Sequence, residues 1–234
     1  MPRTPRAARP APADLAAAYG RVVPDLVGPG VRVLLCGINP SLWSGAVGLH
    51  FANPSNRLWT VLQASGWTAE RLRPEQTDEV LAAGLGITNL VARATARADE
   101  LADEELRAGL PAVAALAGRV RPVWVAFLGL SAYRVATGDR GAGVGPQDRR
   151  TGPARTWLLP NPSGLNASWQ VPRLAEEYAR LRGASAHPDA EDAHREQAEQ
   201  GQGEQEEQRQ HDDEVQPRQH PRRGHEADPG QRPS

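Results

Sequence analysis

Four short apolar runs, each too short for a core helix, most restrict what this chain can become: Val31 to Cys36, Gly86 to Val91, Val123 to Leu128 and Thr156 to Pro160. Runs of this length read as strands buried on both faces. Between them, apolar residues recur at helical spacing. Arg57 to Ser65 carries Leu58, Val61 and Leu62 and stops at Gly66, and Thr77 stands where a helix bearing Val80, Leu81 and Leu85 would be capped. Leu106, Leu110, Val113 and Leu116 keep the same period, although Pro111 is expected to kink or divide that element. Ser168 is placed to cap a last helix with Leu174, Tyr178 and Leu181 on one face, ended by Gly183. Strands alternating with helices imply a three-layer α/β/α domain with a short, mostly parallel central sheet.

That domain is expected over residues 13–183. Residues 1–12 are mainly Pro, Ala and Arg with little to bury, and are expected to form a loose basic arm. Residues 184–234 contain no aromatic residue and, alanines apart, only Val215 as an aliphatic, so a disordered tail is expected there. The net charge of −1 conceals this division: residues 1–183 hold 21 basic and 15 acidic side chains, the remainder 6 and 13. All 27 basic residues are arginine. A lysine Schiff base, a lysine P-loop and a lysine general base are thereby excluded. Cys36 is the only cysteine, which excludes an intramolecular disulfide, a multi-cysteine zinc site and a cysteine-held iron–sulfur cluster. No signal-like or membrane-length apolar segment is present, and a soluble cytoplasmic protein is expected.

In sheets of this kind ligands bind beyond the carboxyl ends of the strands. The unusual segments of this sequence fall at those positions. Gly37-Ile38-Asn39-Pro40 follows the first strand and leads through a glycine-containing loop to His50-Phe51-Ala52-Asn53-Pro54-Ser55-Asn56-Arg57; Asn89 closes Gly86-Ile87-Thr88-Asn89; Asn161-Pro162-Ser163-Gly164-Leu165 follows the fourth strand. Polar, proline-bearing loops at one sheet edge point to a single site. Read singly, each residue has a plainer alternative: an Asx turn for Asn39, a core ring for Phe51, a turn amide for Asn89, a surface position for His50.

Taken in order, these segments closely resemble the mismatch-specific uracil DNA glycosylase and thymine DNA glycosylase family, over about Gly30 to Arg182. The resemblance implies a uracil-DNA glycosylase-like fold and a monofunctional enzyme. Such an enzyme hydrolyses the N-glycosidic bond of uracil mispaired with guanine, with ethenocytosine and, more weakly, thymine as further substrates. It implies double-stranded DNA as partner, action as a monomer, no membrane association, and neither metal nor organic cofactor. By the same resemblance Asn39 holds the attacking water, Phe51 is the platform under the flipped base, and backbone donors near Ile38 and Phe51 meet the base carbonyls. Asn89 reads the Watson–Crick edge, and His50 donates toward a base carbonyl. Ser163 contacts a phosphate, Gly164 allows close approach to DNA, and Leu165 is the apolar wedge. Asn166 and Ala167 stand where some relatives carry an arginine.

Arg57, Arg149, Arg150 and Arg155 are candidate phosphate contacts, Trp59, Trp124 and Trp157 candidate core residues, and Trp43 a candidate groove residue. Without lysine, an intact abasic site is the expected product. The alternative function is a lesion-binding protein on a glycosylase fold with little turnover; a generic nucleotide-binding domain is disfavoured by the lack of a glycine-rich phosphate fingerprint.

Overall fold

The computed structural model describes residues 7–186; residues 1–6 of the expected arm and the expected tail from 187 onward lie outside the described residues. Five strands form one sheet: β1 (Val33–Gly37), β2 (Leu85–Asn89), β3 (Trp124–Leu128), β4 (Gly145–Thr151) and β5 (Ala154–Leu159), in the order β2-β1-β3-β5-β4. All neighbours are parallel except β4, which runs antiparallel to β5. The helices are α1 (Pro12–Ala17), α2 (Leu42–Val47), α3 (Leu58–Ala64), α4 (Thr77–Ala82), α5 (Asp103–Val120), α6 (Leu130–Thr137) and α7 (Val171–Ala186). This is the expected three-layer α/β/α architecture.

Alternation along β1 shows why the sheet needs cover on both faces. Val33 and Leu35 join a core with Leu58, Leu62, Leu174 and Tyr178 of α3 and α7, while Leu34 and Cys36 join another with Leu106, Leu116 and Tyr133 of α5 and α6. Trp59, Trp124 and Trp157 are core residues, as expected, the last two meeting edge to face with centroids 5.1 Å apart. From β1 the chain first adds β2 on one side and then β3 on the other. The order therefore reverses at β1, and a crevice is expected beyond its carboxyl end. No described helix is long and apolar enough to cross a membrane.

Several expectations are corrected. Pro111 does not divide α5, which runs unbroken across it. Pro111 and Arg107 both face solvent, so the carbonyl deprived of its helical partner can turn to water. Thr77 is the first residue of α4 rather than its cap, and Leu85 belongs to β2. Neither Ser168 nor Gly183 bounds α7, which starts at Val171 and passes through Gly183 to Ala186. The edge strand β4 escaped notice because its middle, Gln147 to Arg150, is polar and solvent-facing, as suits an edge protected against further pairing. Of the expected loose arm, the described part is held: the Ala7 N–H donates to Glu75 Oε1 at 2.7 Å and the Arg9 guanidinium lies 5.9 Å from the Trp43 ring centroid.

At Gly109, α5 packs tightly against the chain just beyond β2. A Cβ there would lie 2.0 Å from the Leu90 carbonyl oxygen, a backbone atom that cannot step aside. Gly109→Ala, which in an exposed helix would add up to about 1 kcal/mol of stability, is instead expected to cost about 1–3 kcal/mol through overpacking. Chemical denaturation of the two proteins side by side checks the sign.

Candidate active site

Residues from the carboxyl ends of β1, β2, β3 and β5 converge on one cavity of about 190 Å³. Its walls include Ile38, Asn39, His50, Phe51, Asn89 and Leu165, with Ser163 at the rim, so the structure brings together the residues expected from separate loops. The volume lies below the roughly 300–1,000 Å³ of drug-sized sites. It suits one small ring better than a dinucleotide.

Asn39 does not close an Asx turn. Its Nδ2 reaches across to the segment after β2, donating to the Arg93 carbonyl at 3.1 Å and to Thr95 Oγ1 at 2.7 Å. Both partners can only accept, because the Thr95 hydroxyl hydrogen is committed to the Arg97 carbonyl at 2.7 Å. Turning the amide over would press Oδ1 against two acceptors. The orientation is therefore fixed, and Oδ1, which accepts no bond from the described residues, is left to the cavity. The Arg93–Thr95 segment is itself anchored: Thr95 N–H donates to the Pro40 carbonyl, and Arg93 grips Glu105 of α5 through two bonds of 2.6 and 2.8 Å. Those bonds hold the Glu105 carboxyl down at about 2. Thr95 was missed by sequence reasoning, since a threonine six residues past a strand carries no signal of its own.

Phe51 is half-buried, with its edge on the sheet core and its ring in the cavity wall, so it serves packing and site together. Its backbone sits at φ 48°, a left-handed conformation uncommon outside glycine, and Trp59 Nε1 holds its carbonyl at 3.1 Å. Asn89 is the last residue of β2 rather than part of a turn, and pairs in register with Gly37.

His50 is buried, not a surface residue. Its Nε2 meets the Pro24 carbonyl at 2.9 Å and its Nδ1 meets Asn89 Nδ2 at 3.3 Å. A carbonyl can only accept and an amide nitrogen only donate, so the hydrogen sits on Nε2 and Nδ1 is the acceptor. Burial lowers the imidazole pKa and favours this neutral form. The expected donation from His50 to a base carbonyl is therefore not available here: its one N–H is spent on Pro24, and it orients Asn89 instead. Cys36 lies beneath the site in β1, and burial pushes its thiol pKa far up, leaving it protonated and without nucleophilic character.

The loop after β5, residues 160–170, stands over the cavity mouth. Leu165 is 90% exposed, the most exposed of the large apolar side chains among the described residues. Gly164 is pressed against the chain after Phe51, with an added Cβ only 2.5 Å from the Ser55 carbonyl oxygen. Ser163 Oγ accepts from the Leu165 N–H at 3.3 Å, which leaves the hydroxyl hydrogen free for a further acceptor. Asn166 closes the loop on itself through Nδ2 and the Asn161 carbonyl, 3.0 Å apart.

The arginines fall elsewhere than expected. Arg155 lies over the Trp124 ring, 4.5 Å from its centroid, and with Arg149 and Arg150 sits toward the amino end of β5, at the opposite end of the sheet from the site. Arg57 turns its guanidinium inward to loop carbonyls. Trp43 belongs to α2 and lines a second groove of about 890 Å³ that shares Phe51 and Asn56 with the cavity.

A profile of the uracil DNA glycosylase superfamily matches residues 24–182. Among solved structures, the chain is similar to a protein of Methanosarcina acetivorans provisionally named a uracil DNA glycosylase, whose solution structure it matches with a TM-score of 0.50 at 21% identity, over 70% of this chain and 98% of that one. At that identity the likeness speaks for the fold.

Proposed function

This chain belongs to the uracil DNA glycosylase superfamily, and from that premise we propose that it is a monofunctional, mismatch-specific glycosylase acting on uracil opposite guanine in duplex DNA, with ethenocytosine and, more weakly, thymine as further substrates. The observation that carries the reading is the fixed Asn39 amide. With Nδ2 tied to Arg93 and Thr95, its Oδ1 is a preorganised acceptor for one hydrogen of a water. The water's lone pair is then free to face the sugar.

The chemistry follows from those groups. The C1′–N1 bond breaks with its electron pair passing to the base, which departs as an anion, while C1′ becomes an oxocarbenium-like cation. The water oxygen bonds to C1′ and releases its extra proton to solvent, since a carboxamide does not act as a base. Catalysis is thus positioning and electrostatic stabilisation rather than proton abstraction. Phe51 stacks under the flipped base, a contact worth roughly 1–3 kcal/mol. Asn89, held by His50, offers the base edge one N–H and its Oδ1. Leu165 fills the gap in the duplex. With no lysine in the sequence, the product is an intact abasic site.

Single-turnover release from G·U, G·ethenocytosine and G·T duplexes and from single-stranded uracil DNA tests the reading, together with borohydride trapping. Release is expected fastest from G·U and without a covalent adduct. Tight lesion binding with no release would replace the reading by that of a lesion-binding protein. Leu165→Ala is expected to slow release from G·U duplex by about tenfold, as a wedge that offsets about 1.4 kcal/mol of an unstacking cost of a few kcal/mol would require, and release from single-stranded DNA far less. Equal losses on the two substrates would rule out a wedge.

A further inference from the structure

We propose that Arg57 is a positioning residue, the strut that holds the 161–169 loop in the shape from which Leu165 is presented, rather than a phosphate contact. The inference rests on the base-flipping reading given above. Four of the five guanidinium N–H groups end on carbonyls of one loop: those of Pro162, Ser163, Asn166 and Trp169, the last two at 2.9 and 2.8 Å. The Arg57 backbone N–H adds a bond of 3.0 Å to Pro162. Arginine suits the task because its donors are fixed in one plane and its charge is never lost. Carbonyl dipoles converging on one point repel one another; a cation at the focus turns that repulsion into attraction.

The ends of the loop are packed, Pro162 being buried and Trp169 resting on the core, but between them the hydrogen bonds to other segments of the described chain are those from Arg57. The loop's own ties are short-range: Ser163 N–H to Asn161 Oδ1, Leu165 N–H to Ser163 Oγ and Asn166 Nδ2 to Asn161. The Leu165 side chain, almost wholly in solvent, has no packing to brace it, yet a wedge must press against stacked bases. Arg57 heads α3, whose Leu58, Val61 and Leu62 are buried in the core, so the load passes from loop to guanidinium to the body of the protein. The platform segment and the wedge loop thereby behave as one body, Gly164 lying flush on Ser55.

Arg57→Gln and Arg57→Lys in the full chain test this. Both are expected to slow uracil release from G·U duplex by about tenfold and from single-stranded uracil DNA much less, and to leave the salt dependence of duplex binding unchanged. Amide hydrogen exchange over residues 161–169 should quicken in both. Added to Leu165→Ala, Arg57→Gln should cause no further loss, because the two act through one event. A lysine variant that restores the duplex rate, or a salt slope shallower by about one, would mark a phosphate contact and overturn the proposal. Unchanged exchange in the loop, or equal losses on both substrates, would overturn it as well. A wild-type chain that releases no uracil would remove the functional reading while the exchange measurement still decides the strut.

Discussion

Asn39→Ala is expected to lower single-turnover release of uracil from G·U duplex by at least about a hundredfold, the scale on which misplacing a reacting group by an ångström acts, while binding to lesion duplex stays within a few-fold. The side chain's hydrogen bonds go to one carbonyl and one hydroxyl on the Arg93–Thr95 segment. Both stay supported without it, Thr95 by the Arg97 and Pro40 carbonyls and Arg93 by Glu105. What disappears is the acceptor proposed to order the water. Thr95→Val makes a useful companion, since it removes one of the two acceptors and leaves Asn39 in place; a smaller loss is expected from it. Release by Asn39→Ala at a near-normal rate would assign the water to another group and with it remove the basis of the proposed mechanism.

The sequence disclosed those parts of the molecule that repeat a period or a motif. Buried parallel strands need continuous apolar runs, so β1, β2, β3 and β5 could be located to within about two residues, and the layer architecture followed. The edge strand β4 could not, because one side of it meets water and its residues, Gln147 to Arg150, look like any loop. Pro111 misled for a related reason: the carbonyl it orphans, that of Arg107, lies on the exposed face where water can replace the lost bond, and exposure is not written in the spacing. In the site, the loops that converge were recognisable because motif residues cluster at strand ends. The partners that set their orientation were not. Thr95, Pro24 and the carbonyls gripped by Arg57 act through hydrogen-bond direction, which depends on three-dimensional placement alone. His50 is the clearest case: a histidine beside a base pocket reads as a donor until the structure shows its single N–H already committed to a carbonyl.

Gly37→Ala should be nearly as damaging as loss of Asn39, for a reason that lies in packing rather than chemistry. Gly37 is the last residue of β1, directly beneath the groups assigned to the base. An added Cβ would lie 2.4 Å from Asn89 Oδ1 and 3.2 Å from Phe51 Cζ. Neither neighbour retreats freely. The Asn89 amide is tethered through Nδ2 to His50, itself fixed on Pro24, and the Phe51 backbone is held in its left-handed conformation by the bond from Trp59. The methyl group must therefore displace the amide, the ring or both from the positions in which a base would meet them. Overpacking of this kind costs about 1–3 kcal/mol of stability, which a folded enzyme can survive, whereas an ångström of displacement at the site costs about a hundredfold in rate. The measurement is a double-mutant cycle with Asn89→Ala. If the damage runs through the amide, Gly37→Ala should cost far less in the Asn89→Ala background, where the 2.4 Å contact no longer exists. The same loss in both backgrounds would show that the methyl acts on β1 or on Phe51 alone, and would separate the reading edge of the pocket from its floor.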